Sequence, residues 1–252
     1  MQYKPHEYQQ YATQFILDHP VAAILLDMGL GKSVITLTAI KQLIQQGKVQ
    51  RVLVVAPLRV AKQTWPEEIE KWDHLKGLNY SVVTGSKLQR IKALQQDVDI
   101  YIINRENLKW LIESSGTSFD YDMLVIDELS SFKSYRSQRF KALKRVRPLI
   151  KRIVGLTGTP SSNGLMDLWA EFRVLDMGQR LGRFISSYRM NYFDPDKRNM
   201  YQVFTYKPKP GAEQSIYRAI HDITISMKSK DYLNLPPLTM NTVPAKMSNS
   251  EQ

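Results

Sequence analysis

Cysteine does not occur anywhere in the 252 residues, so the chain carries neither a disulfide framework nor a thiolate metal site. That composition suits a reducing compartment. Histidine is scarce as well: His6, His19, His74 and His221 are scattered, without the close spacing of an imidazole metal site. The opening residues, MQYKPHEYQQ, lack the apolar core of a secretory leader, and the apolar run Val21–Leu26 is far too short to span a bilayer. A cytoplasmic location is expected. Acid is the last absence: between Leu129 and Met166 there are nine Lys or Arg residues and no Asp or Glu. These are Lys133, Arg136, Arg139, Lys141, Lys144, Arg145, Arg147, Lys151 and Arg152. A stretch of that kind is either a solvated face or a polyanion-binding surface.

The chain has a formal charge of +11 and is 43% hydrophobic, enough for a sizeable core. Short runs rich in Val and Ile recur at Ala22–Leu26, Val52–Ala56, Tyr80–Thr84, Asp99–Ile103, Met123–Ile126 and Ile153–Leu156. Several are apolar on both faces, as strands buried between two helical layers must be. The segment Ser33–Gln46 carries apolar residues at three-or-four spacing and is followed by Gly47, which predicts a helix with a natural stop. Strand alternating with helix predicts an α/β fold with a central parallel sheet, whose ligands sit beyond the carboxyl ends of the strands. After Leu175 the pattern becomes aromatic, basic and interrupted by prolines. A boundary is therefore expected near residue 178, with residues 1–178 forming the sheet domain. Residues 179–252 are expected to form a helical or irregular protrusion and a linker, with a short helix at Ala212–Ile223. Tyr188, Tyr192, Phe193, Tyr201 and Phe204 either pack within that protrusion or meet a partner, and packing is the expectation.

The stretch Leu26-Asp27-Met28-Gly29-Leu30-Gly31-Lys32-Ser33 nearly matches the phosphate-binding pattern G-x-x-x-x-G-K-[ST], with Leu26 where the first glycine would stand. Gly29 and Gly31 allow the backbone N–H groups and the following helix N-terminus to approach an anion. Lys32 would reach the β- and γ-phosphates, and the Ser33 hydroxyl would hold Mg²⁺. A second element strengthens this assignment. The strand Met123–Ile126 ends in Asp127-Glu128, two adjacent carboxylates that need a cation or a chemical task to offset their repulsion. Asp127 would hold Mg²⁺, and Glu128 would orient and activate the attacking water.

Together these motifs resemble the first RecA-like lobe of superfamily 2 helicases, specifically the Snf2 branch, in which DMGLGK[ST] without a leading glycine is the usual loop. The resemblance implies a P-loop ATPase of the helicase or translocase type that uses ATP and Mg²⁺, with Met28 to Ser33 around the nucleotide. It continues in family order. HEYQQYATQFIL is similar to the Snf2 opening block and implies that Gln9, or Gln10 in the alternative register, reads the adenine edge. VLVVAPLRVAKQTWPEEIEKW is similar to motif Ia, with Arg59 and Lys62 as contacts to DNA phosphates, while Trp65 and Trp72 are expected in the core. The next two blocks imply DNA contacts at Thr84, Gly85, Asn104 and Arg105. IDELSSFKS is the motif II counterpart, in which Leu129-Ser130 replaces the last two letters of the familiar DEAH. GLTGTPSSNGLMDLWAEFRVLD is the most specific match, and implies that Thr157, Gly158 and Thr159 couple the nucleotide site to the DNA track.

The wording of the last two blocks is most similar to bacteriophage-encoded members, which would place the protein in a host cytoplasm. Within this frame the basic stretch from Lys133 to Arg152, Lys133 and Arg136 included, is expected to follow the backbone of duplex DNA, with strongly salt-dependent binding. Superfamily 2 enzymes bind ATP between two RecA-like lobes, and NLPPLTMNTVPAKMSNSEQ resembles the linker toward the second. Hydrolysis is accordingly expected to be weak unless a second lobe, on this or another chain, supplies the arginine. Two further classes fit parts of the pattern: a self-contained P-loop kinase, and a non-catalytic DNA-binding or regulatory module that retains the fold.

Overall fold

A strand that is apolar on both faces must be covered by helices on each side, and the alternation of its side chains then divides one core into two. The computed structural model, which describes residues 1–158 and 164–232, has this arrangement. Its strands are β1 (Val21–Leu26), β2 (Val52–Ala56), β3 (Tyr80–Val83), β4 (Ile100–Asn104), β5 (Met123–Asp127), β6 (Arg152–Thr157), β7 (Phe193–Pro195), β8 (Tyr206–Pro208) and β9 (Thr224–Met227). The main helices are α1 (Glu7–Asp18), α2 (Lys32–Gln45), α3 (Trp65–Lys71), α4 (Lys87–Leu94), α5 (Leu108–Ser115), α6 (Gln138–Val146), α7 (Leu165–Asp176), α8 (Ile185–Tyr192) and α9 (Ala212–Ile220). Seven strands form one sheet in the order β3-β4-β2-β5-β6-β1-β9, and every neighbouring pair is parallel. Strands β7 and β8 form a separate antiparallel hairpin.

In β1, Ala22, Ile24 and Leu26 face a core shared with α1, α2 and α3, whereas Ala23 and Leu25 face one shared with α5 to α9. Strand β5 divides likewise, Met123 and Val125 against Leu124 and Ile126. All six expected strands form, each within a residue of its expected ends. Helix α2 begins one residue before the expected Ser33, and its last turn closes through Lys48 N–H donating to the Leu43 carbonyl.

The segment after residue 178 differs most from expectation. It contains α8, the hairpin and α9, which gives way to a 3₁₀ turn at His221–Ile223, and then the chain returns to the main sheet as β9 alongside β1. This seventh strand lies in the segment expected to be protrusion and linker. Tyr188 and Phe193 are buried as expected, but Tyr201 and Phe204 stand out in solvent at the hairpin tip. The sequence resembling a linker, residues 234–252, lies outside the described residues.

The basic stretch also divides. Lys133 and Arg136 are exposed just beyond the carboxyl end of β5, but α6 then carries the chain back toward the amino end of β6. Nine cations spread over both edges of a sheet cannot follow one duplex track. Arg147 is buried, and its guanidinium donates to the carbonyls of Val174, Leu175 and Ile150 at 2.5–3.1 Å, satisfying the open carbonyls at the end of α7. Burial pushes Arg147 down to about 10. Arg152 does the same for α1, donating to Ile16, Leu17 and His19, and Lys151 pairs with Asp122 at 2.9 Å. We expect Arg147→Ala to lower the unfolding free energy by about 2–4 kcal/mol in urea titrations, because buried carbonyls lose their donors. Lys144→Ala, on the exposed face of α6, should change it by less than about 0.5 kcal/mol.

Candidate nucleotide site

Parallel strands place all their carboxyl ends on one edge, so β1, β5 and β6 deliver their following loops to one place. The loop after β1 turns through Gly29 and Gly31, both with positive φ, and α2 begins at Lys32. At Gly31 a side chain is excluded twice: φ is +78°, and a Cβ would stand 2.7 Å from Gln9 Nε2. Leu30, between the glycines, is fully buried, whereas Met28 is exposed over the loop. Lys32 Nζ donates to the carbonyls of Leu26 at 2.6 Å and Asp27 at 3.2 Å. Burial lowers its pKa, and the charges of Asp127, Glu128 and Asp27 oppose that shift.

Between the two glutamines of the alternative registers, the geometry discriminates. Gln9 is buried against the loop: its Oε1 accepts from His6 N–H at 3.0 Å, and its Nε2 donates to the Leu30 carbonyl at 3.4 Å. Gln10 points outward and reaches only the Pro5 carbonyl.

Asp127 and Glu128 close the other wall. Trp65 lies fully in the core, as expected, yet its indole N–H donates to Asp127 Oδ2 at 2.9 Å, a role with no sequence signal across 62 residues. Burial raises the Asp127 pKa, and the Trp65 bond and Lys32 act against that rise. Glu128 adopts a left-handed conformation, φ 66° and ψ 66°, which costs a non-glycine residue of order 1 kcal/mol and must be held by its surroundings. Leu129 supplies one anchor. It is fully buried against Gly155 of β6, where a Cβ would come within 2.8 Å of Leu129 Cδ2. Ser130 Oγ and Thr157 Oγ1 supply the other by donating to Glu128 Oε1, the latter at 3.4 Å. The Leu129-Ser130 departure from DEAH thus has a local purpose. Gly158 lies against the same site, its added Cβ 3.7 Å from the Leu26 carbonyl and 3.9 Å from Lys32 Nζ. Thr159 lies outside the described residues.

These groups line a single open cleft of about 1060 Å³, which includes Gln9, Met28, Gly29, Gly31, Lys32, Ser33, Asp127, Glu128 and Gly158. Its oxygen donors, the Ser33 hydroxyl and the Asp127 carboxylate, are hard ligands suited to Mg²⁺. Among the described residues no group of three or more His, Cys, Asp or Glu could hold a metal ion.

The expected DNA contacts lie farther along the same edge. Arg59 and Lys62 are exposed in the turn that leads into α3, where Arg59 Nε donates to Gln63 Oε1 at 3.3 Å, and both border a shallow groove. Thr84 and Gly85 follow β3, with Gly85 exposed. Asn104 is buried and committed internally, donating to Glu106 and accepting from Asn107, and Arg105 pairs with Glu106 at 2.9 Å. Lys133 and Arg136 border a different cleft, between α7 and the hairpin. No helix among the described residues is long and apolar enough to cross a membrane.

Fold and cleft together define a RecA-like α/β domain with a P-loop at the carboxyl edge of its sheet. The family model described as SNF2-related domain matches residues 8–251, and the chain belongs to that family. Protein p41 of Acyrthosiphon pisum secondary endosymbiont phage 1 is 34% identical over 248 residues, covering 96% of this chain and 54% of the relative. Mouse DNA excision repair protein ERCC-6-like is 30% identical over 177 residues, 67% of this chain and 14% of the relative. The chain therefore spans about half of the phage relative and a small part of the mouse one. The Sulfolobus solfataricus SWI2/SNF2 ATPase core in complex with dsDNA shares the fold with a TM-score of 0.73 at 23% identity, covering 90% of this chain and 45% of that one.

One acid near the site escaped the sequence reading. Glu171 sits on the apolar side of α7, three residues beyond Leu168, and is only 4% exposed. Desolvation first, then the charges of Asp167 and Glu128, push its carboxyl up to about 8, with Lys133 opposing. The folded protein thus keeps this proton to a higher pH than the unfolded chain, which releases it near the ordinary value of about 4.3. Stability contributed by the protonated form is complete below that value and is lost as pH rises through the folded pKa. We expect urea unfolding curves from about pH 5 to pH 9 to show wild type losing on the order of a few kcal/mol relative to Glu171→Gln, with most of the difference developed by pH 8.

Proposed function

We propose that this chain is the ATP-binding lobe of a Snf2-type, DNA-dependent ATPase that binds Mg·ATP and the backbone of duplex DNA to drive translocation or remodelling. The observation that carries the proposal is the convergence of Lys32, Ser33, Asp127 and Glu128 on one cleft that Gln9 also lines, packed against the loop. In this reading Gln9 reads the adenine edge, the loop N–H groups and Lys32 take the phosphates, and Ser33 and Asp127 hold Mg²⁺. The ion supplies positive charge against the phosphate oxygens. Glu128, fixed in its strained conformation, positions the attacking water and accepts its proton. Thr157 touches Glu128 and Gly158 abuts the loop, which supports the role proposed for Thr157, Gly158 and Thr159 in coupling nucleotide to DNA.

Arg59, Lys62, Thr84, Gly85 and Arg105 are the proposed backbone contacts, and Asn104 shapes the turn that presents Arg105. Residues 1–178 make the lobe in this proposal, and residues 179–252 the protrusion and the start of a linker, with β9 returned to the sheet. A second RecA-like lobe supplies the remaining arginine, so turnover by this chain alone is weak. The complex of the Sulfolobus relative with dsDNA supports duplex DNA as the partner, and the phage relative supports a host-cytoplasmic setting.

Isothermal titration should give Mg·ATP affinity about 10- to 100-fold weaker in Lys32→Ala, the loss of a charge-assisted contact. Undiminished affinity there would sink the proposal. Glu128→Gln should retain binding while losing about 100-fold or more of any DNA-stimulated hydrolysis. Trp65→Phe keeps an aromatic ring in the core but removes the donor to Asp127. Half-saturation by Mg²⁺ in the same titration should then require about 10-fold more metal, as expected for loss of a ligand's supporting bond.

A further inference from the structure

The hairpin formed by β7 and β8 leaves a second cleft, of about 660 Å³, between itself, α7, α8 and the loop that follows Glu128. Its chemistry is distinct from that of the nucleotide site. Lys133, Arg136 and Arg189 supply three cations, and among the described residues Asp167 is the carboxylate on its walls. Arg189 lies over the Tyr206 ring at 4.7 Å, and its buried Nε has no hydrogen-bond partner among the described residues. Opposite the cations stand Tyr201, 92% exposed, and Phe204, 58% exposed.

The hairpin tip is folded rather than loose. Asn199 Oδ1 accepts from the N–H groups of Tyr201 and Gln202 at 2.9 and 2.7 Å, Asn199 N–H donates to the Gln202 carbonyl, and Arg198 bridges to Val203. The backbone that carries the two rings is therefore ordered, and it leaves Tyr201 and Phe204 in water on the rim of a cationic cleft. An aliphatic protein surface would cover the rings but offer no anion to the cleft, where Asp167 offsets only part of the charge of Lys133, Arg136 and Arg189, and no acceptor to the buried Arg189 Nε. A duplex backbone would answer the cations but offer the rings nothing, since its bases are stacked on one another. An unpaired nucleotide answers both, with phosphate for the cations and a free π-face for the aromatics.

We propose that this cleft binds an unpaired stretch of DNA beside the duplex held along the carboxyl edge of the sheet, with Arg136 and Arg189 on its phosphates and Tyr201 and Phe204 stacked on its bases. The inference rests on the DNA-dependent reading above and adds a preference for duplex that carries a gap or a tail.

The test is fluorescence anisotropy of the whole chain with a short blunt duplex and with the same duplex carrying a gap of a few nucleotides, one of them 2-aminopurine. Gapped DNA should bind about 10-fold more tightly, with 2-aminopurine quenched by stacking. Tyr201→Ala with Phe204→Ala, and separately Arg189→Met, should abolish that preference while leaving blunt-duplex affinity unchanged. Circular dichroism checks that the exposed-ring variants fold. Equal affinity for the two DNAs, or a preference that survives in the variants, overturns this inference. If blunt-duplex binding still weakens in Arg59→Ala and Lys62→Ala, the underlying reading stands even so. Failure of either DNA to bind overturns both.

Discussion

The molecule depends on the strictly parallel pairing of seven strands. Parallel neighbours bond through evenly spaced, slanted hydrogen bonds, and each successive strand requires the chain to cross back over the sheet before it can be added. The crossings put helices on both faces, which makes continuous apolar strands such as VLVVA and IYIIN favourable. They also send every strand's carboxyl end to the same edge. Side chains 96 residues apart, Lys32 after β1 and Glu128 after β5, are brought to one cleft there by the sheet rather than by any local sequence.

At that edge the site is held by neighbours with no role in chemistry. Leu129 fills space that only a glycine at position 155 leaves open, and this burial holds the backbone of Glu128 in a conformation it would not adopt unaided. Trp65 fixes one oxygen of Asp127, and Gln9 occupies the space that a side chain at Gly31 would fill. The loop, both acids and α1 therefore form one packed unit, in which displacement of any member disturbs the others.

The strands most deeply buried were the most legible in the sequence, because two-sided burial writes an uninterrupted apolar run. Strand β9 was not legible. Thr224-Ile225-Ser226-Met227 is an edge strand with only two apolar side chains, and only its pairing with β1 reveals it. The phosphate loop and the acidic pair were legible because their chemistry dictates both residue type and position. The resemblance favours Gln9, but the different directions of Gln9 and Gln10 were not legible, because neighbouring glutamines on a helix differ only in the way they face. The basic stretch misled for a related reason: charge can be counted in a sequence, but the inward turn of Arg147 and Arg152 toward helix-end carbonyls depends on where α1 and α7 finish. Trp65 acquires its role from Asp127, 62 residues away, and Glu171 from its burial together with Asp167 and the distant Glu128.

Strand β9 also has a mechanical side. Asp27 N–H, at the first residue of the phosphate loop, donates to the carbonyl of Met227 at 3.2 Å, where β9 ends. Because the rest of β9 is laddered to β1, the first residue of the loop is tied to two strands at once. A displacement of β9 against β1 would therefore reach the loop through the backbone, which makes the last strand of the sheet a brace for the phosphate loop.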